Sequence, residues 1–188
     1  KPSFFFFFYV SAAAVIFIYF GLYLLSGGIT PTSQKFAALE KDTDYYVTRG
    51  RVTTYFQESL KSLEAEDYNS AIVNLKSDIS ENPDDETVFY SYYILGLAYL
   101  ETAETNFIGL FPSYNKEQAI AGKDALLKSI EKNNSGKYPN VTLNAYYYAA
   151  KACLMIDDLN SAKEYLSIVV KEKGSKMHEA QKILSDLE

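Results

Sequence analysis

Tyr92-Tyr93-Ile94-Leu95-Gly96-Leu97-Ala98-Tyr99 is the stretch that decides the fold of this chain. A glycine and an alanine sit inside an apolar run, with an aromatic residue at each end. Small side chains at positions 96 and 98 allow a second helix to approach closely, and the tyrosines fill the space around the contact. On the N-terminal side the apolar residues keep to steps of three and four, as in Phe56, Leu60 and Leu63 and then Ile72, Leu75 and Ile79. That spacing predicts amphipathic helices, and no stretch sustains the alternation of a half-buried strand.

The pattern recurs on both sides. Upstream lies Tyr68-x-x-Ala71-x-x-x-Leu75, followed by Pro83. Downstream lie Tyr146-x-x-Ala149-Ala150-x-x-Cys153 and Ala162-x-x-x-Leu166, with Gly174 near the place of a second proline. Together these residues resemble the tetratricopeptide-repeat family over residues 52–188. The resemblance implies an all-α fold, an α-solenoid of about three helix pairs at 52–85, 89–139 and 143–176. A capping helix at 177–187, carrying Met177, Ala180, Ile183, Leu184 and Leu187, would close its open end. There are departures. Ser59 and Ser62 stand where the family has a small glycine and a tyrosine, and a loop at 105–114 is inserted before a helix expected around 119–130.

Ahead of the repeats, residues 2–34 carry no charged side chain. As a helix, Phe4 to Leu25 would span about 33 Å, against about 30 Å of hydrocarbon in a bilayer. This predicts a transmembrane signal anchor over 1–28, then a linker with a short helix over 29–51, with helical spacing at Phe36, Leu39 and Tyr45 and a break at Arg49-Gly50-Arg51. A cleaved signal peptide fits less well, because the small-residue patch Ser11 to Ala14 lies in mid-run. Ser11, Ala14, Ile18 and Gly21 share one face, on which another helix could pack, although lipid all round is the alternative.

The chain has 18 basic and 24 acidic residues, a formal charge of −6. Such an acidic body has no footprint for nucleic acid and is repelled by anionic headgroups. Together with the long apolar run this leads to the expectation of a single pass with the C-terminal domain extracytoplasmic, and the resemblance implies that the membrane is the bacterial cytoplasmic one. Positive-inside counting does not decide the orientation.

Catalytic signals are weak. His178 is the sole histidine and has no nucleophile pattern near it; Asp157-Asp158 reads as a helix-capping turn. Cys153 is the one cysteine, so neither an intrachain disulfide nor a cysteine metal site is available. No enzyme activity, cofactor or metal is expected. Two sequons, at Asn133 and Asn140, carry little weight.

Recognition surfaces remain. By resemblance, the first helix of each repeat lines a concave groove, which would place Tyr90, Tyr93, Leu97 and Glu101 beside Asn144, Tyr147, Lys151 and Leu154. Tyrosine-rich grooves suit peptides, though intramolecular packing accounts for such tyrosines equally well. In the inserted loop, Phe107, Ile108, Leu110 and Phe111 either self-pack, meet the bilayer or dock on a partner. The expected function is that of a membrane-anchored accessory or scaffold subunit binding protein partners in a membrane complex. The alternative is a membrane-tethered chaperone or quality-control factor for exported proteins, similar in layout to bacterial inner-membrane tetratricopeptide proteins of the secretion machinery.

Overall fold

A computed structural model describes residues 4–40, 50–107 and 110–187. It is mostly helical: α1 Phe4–Ile29, α2 Thr32–Lys35, α3 Thr54–Glu64, α4 Tyr68–Glu81, α5 Val88–Ala103, α6 Lys116–Lys132, α7 Pro139–Met155, α8 Leu159–Lys171 and α9 Met177–Asp186. From α3 onward each helix packs chiefly on its neighbours in the chain. Their shared core holds Phe56, Leu75, Phe89, Leu97, Leu126, Leu154 and Leu166, all with at most 1% exposure.

Local chemistry explains the turns. Asp67 caps α4 by accepting from the Ser70 amide at 3.1 Å, and Asp158 caps α8 by accepting from the Ser161 amide at the same distance. The preceding residues, Glu66 at φ 56° and Asp157 at φ 63°, take the left-handed conformation that ends α3 and α7. In both turns the aspartate amide reaches back five residues, Asp67 to the Ser62 carbonyl and Asp158 to that of Cys153. This is the Schellman ending, and its recurrence gives the α3–α4 and α7–α8 hairpins the same joint. The segments Asp67-Tyr-Asn-Ser-Ala71 and Asp158-Leu-Asn-Ser-Ala162 carried that signal in the sequence.

Between α5 and α6 the backbones approach closely. A Cβ built on Gly96 would lie 2.5 Å from Leu126 Cγ and 3.0 Å from the Gly122 carbonyl oxygen, and one on Gly122 would lie 2.6 Å from Leu100 Cδ2. Ser59, the departure noted in α3, is fully buried and donates to the Phe56 carbonyl at 2.7 Å, so a small polar residue is accommodated there.

The 105–114 insert is not an irregular loop. Glu104–Phe107 (β1) pairs antiparallel with Phe111–Tyr114 (β2), matching Thr105 to Ser113 and Asn106 to Pro112. The chain is thus mostly rather than wholly helical. Aromatic and threonine residues favour this pleated pairing, and Pro112, which lacks an N–H, is tolerated where there is no second partner strand.

Arg51 forms a buried ionic joint. Its Nε donates to Asp78 at 2.8 Å, and Nη2 lies 2.6 Å from the same carboxylate oxygen, a charge contact outside hydrogen-bond geometry. Nη1 reaches Asp85 at 2.9 Å and Thr87 at 3.0 Å. Asp78 also accepts from Thr53 and Ser91, each at 2.5 Å. The expected break survives at Gly50, with φ 107°, while Tyr45 and Arg49 lie outside the described residues.

The expectation of a single-pass membrane location is corrected. Among the described residues no helix is long and apolar enough to cross a membrane. The last turns of α1 belong to the protein's own packing: Ser26 is buried, and its hydroxyl donates to the Leu110 carbonyl. Ala14, Ile18 and Gly21 are exposed, and a Cβ on Gly21 would meet nothing within 4 Å, so the small-residue face packs on no described residue. The side chain of Ser11 lies outside the description.

Candidate binding groove

The eight residues expected to line one open groove separate into three groups. Tyr90, Tyr93, Leu97 and Leu154 are core residues. Tyr90 packs on Phe89 at 4.3 Å and on Tyr138 at 5.7 Å between ring centroids, Tyr93 lies edge-on to Tyr148 at 6.4 Å, and Leu97 and Leu154 are fully buried. Glu101 is half-buried, as is Asn144, whose side-chain oxygen accepts from Ser175 at 2.7 Å. The idea of an open tyrosine groove is corrected accordingly. α5 is covered by neighbours on both sides, so its tyrosines fill space between helices.

Tyr147 and Lys151 face a different surface, and the chain itself occupies it. Residues 33–40, in and beyond α2, lie against α7, β1 and β2. Lys151 Nζ donates to the Ala38 carbonyl at 2.9 Å, Glu104 accepts from the Leu39 amide at 3.3 Å, and the Tyr114 hydroxyl donates to the Gln34 carbonyl at 3.2 Å. Ser33 donates to Asp157 at 3.1 Å. Ala37 is fully buried, with Phe36 and Leu39 packed on the core beside it. A cleft of about 330 Å³ remains between this segment and α9, bordered by Tyr147, Lys151, Glu179, Lys182 and Ile183.

Its electrostatics follow from burial. Lys151 is 4% exposed, and its Nζ lies 5.6 Å from the Tyr147 ring centroid. Loss of hydration pulls the ammonium down to about 8, against the opposing fields of Glu40, Glu104 and Glu179. An unfolded lysine keeps its proton to about pH 10, so between about pH 8 and 10 the unfolded chain binds more protons and stability rises with pH. Below about pH 8 that contribution is absent. Tyr147 and Tyr114, whose hydroxyls burial pushes above the usual value, act in the opposite sense beyond about pH 10. Burial of the Cys153 thiol, pushed up to about 11, acts against this above about pH 9, so urea unfolding of a Cys153→Ala protein at pH 7.5, 8.5 and 9.5 should show stability climbing by about 2 kcal/mol. Lys151→Met in the same background should flatten the profile, and a flat Cys153→Ala profile would contradict the assignment.

Leu110 is 7% exposed beneath the end of α1, and Phe111 is half-buried. Ile108 and the side chain of Phe107 lie outside the described residues. A second cleft of about 400 Å³ separates hairpin, α1 and α2, with Tyr23, Thr30, Gln34 and Tyr114 on its walls.

Other chemistry is sparse at these surfaces. His178 is exposed on α9, and the thiol of buried Cys153 is pushed up to about 11 by burial, which keeps it protonated. Among the described residues no group of three His, Cys, Asp or Glu side chains is placed to hold a metal. Sequence reasoning missed Glu104, Tyr114 and Glu179, which act at this face from elements outside the repeat motif. Comparison with protein-family models, with curated proteins and with solved structures returns no match for this chain.

Proposed function

We propose that this chain is a tetratricopeptide-like protein-binding module, serving as an accessory or scaffold subunit of a protein complex. One observation carries the reading. Side chains of α7, β2 and the first residue of β1 hold the chain's own segment, a helical turn that opens out at residues 38–40, by its main chain, at the Gln34 and Ala38 carbonyls and the Leu39 amide. Contacts of this kind accept peptide backbone and leave selectivity to the pockets around Phe36, Ala37 and Leu39. The same tolerance favours a second reading, a chaperone that meets many chains.

A photo-crosslinking residue at exposed Lys182, on the rim of the cleft, separates them. A subunit should yield one stoichiometric partner band that Lys151→Met reduces several-fold. A chaperone should yield a smear of unrelated chains. Crosslinking unaffected by Lys151→Met, or none, would remove the inner face from both readings.

A further inference from the structure

We infer that residues 33–40 act as a built-in competitor on this face, and that the partner is a short segment that forms a similar turn and presents the same pattern: an apolar residue, two small residues, then leucine followed by an acidic residue. The inference rests on the reading that this face binds short peptide segments.

The segment is seated as a bound peptide would be. Its main chain is read at three positions, and its side chains anchor at Ala37, fully buried, and at Phe36 and Leu39, packed on the core. The acidic residue that follows, Glu40, approaches Lys176 at 3.8 Å and is more than half exposed. The pattern is therefore a template for what the face accepts.

It is also an imperfect occupant. The Tyr147 hydroxyl is buried at 1% residue exposure and meets no hydrogen-bond partner among the described residues. Lys151, equally enclosed, directs one hydrogen bond at the segment, although an ammonium carries three donors. Both side chains border the 330 Å³ cleft, which the segment leaves unfilled. A partner offering one more carbonyl oxygen there would satisfy groups that the chain's own residues leave wanting. The charged groups facing Lys151, namely Glu40, Glu104, Glu179 and Lys176, come from the segment, the hairpin and α9; carboxylates already outnumber ammonium groups there, which favours a neutral carbonyl over a further carboxylate. Release is local, because α2 has four residues and no side-chain cap at its start.

The test uses a fluorescein-labelled peptide with the sequence of residues 31–40, titrated by anisotropy against the 188-residue chain in mild detergent. Ala37→Asp in the protein places a charge where no water reaches, and should expel the segment while leaving Tyr147 and Lys151 in place. Peptide binding to Ala37→Asp should be at least tenfold tighter than to wild type, and Lys151→Met in that background should weaken it about tenfold. The peptide carrying the same alanine-to-aspartate change should not bind. If wild type and Ala37→Asp bind equally well, the face binds peptides but the competitor is refuted; if neither binds, the peptide-binding reading fails with it. Should Ala37→Asp lose its cooperative melt, the double change Phe36→Ala and Leu39→Ala replaces it. Hydrogen exchange of wild type gives a separate check: excess peptide should speed exchange of the Leu39 amide several-fold, and unchanged exchange would overturn the proposal.

Discussion

Asp78→Ala is expected to lower the free energy of unfolding by about 3–5 kcal/mol, the usual cost of stripping a buried ion of its partner. Both side chains of the Arg51–Asp78 pair are fully buried, and Asp78 additionally holds the hydroxyls of Thr53 and Ser91. Truncation strands Arg51 and Ser91 in a space closed to water and takes the partner of half-buried Thr53. Asp85 cannot compensate: it engages the opposite nitrogen of the guanidinium and is itself 40% exposed. The attraction is not a net gain of equal size, because two ions left water to make it. A double-mutant cycle separates the two quantities. Arg51→Met with Asp78→Leu should cost clearly less than the sum of the single changes, measured by urea or thermal unfolding. Additive losses would show that the pair does not act as a unit.

Gly96→Val should destabilise by about 3 kcal/mol, at the upper end of what overpacking costs. The first added carbon alone falls 2.5 Å from Leu126 Cγ, and the Gly122 carbonyl behind it is backbone and cannot rotate away. Valine then adds two methyls in the same gap. Helix propensity works the other way, since replacing a mid-helix glycine commonly gains up to about 1 kcal/mol. Gly96→Ala isolates the balance and should cost less than valine, with Leu126 turning aside. A Gly96→Val protein as stable as wild type would mean that α5 and α6 are not in close contact.

Much of this architecture was legible because it is local. Phe56, Leu63, Ile72 and Leu75, picked out by spacing, are buried, and Gly96 meets α6 as a small residue should. The β-hairpin was not legible, since two four-residue strands leave too few positions for an alternation to register. The groove was misread for a related reason. α5 is buried nearly all round, so its tyrosines look alike in sequence whether they face a ligand or a neighbouring helix. What covers Tyr147 and Lys151 depends on pairs distant in sequence, such as Lys151 with Ala38 and Leu39 with Glu104, which no periodicity encodes. At the N-terminus, hydropathy marked an apolar helix but could not reveal that its last turns are committed to the hairpin.

The segment at residues 33–40 belongs to the same molecule as the surface it covers. Its local concentration is set by chain length and stiffness, on the order of millimolar for a short connection. Diluting the protein therefore leaves the ratio of covered to uncovered faces unchanged, whereas a cover supplied by a second molecule would fall away. A soluble competitor meets only the uncovered fraction, and its apparent affinity is reduced by that fraction at every protein concentration. Occupancy of the face thus tracks the abundance of the competitor and is indifferent to the abundance of this protein.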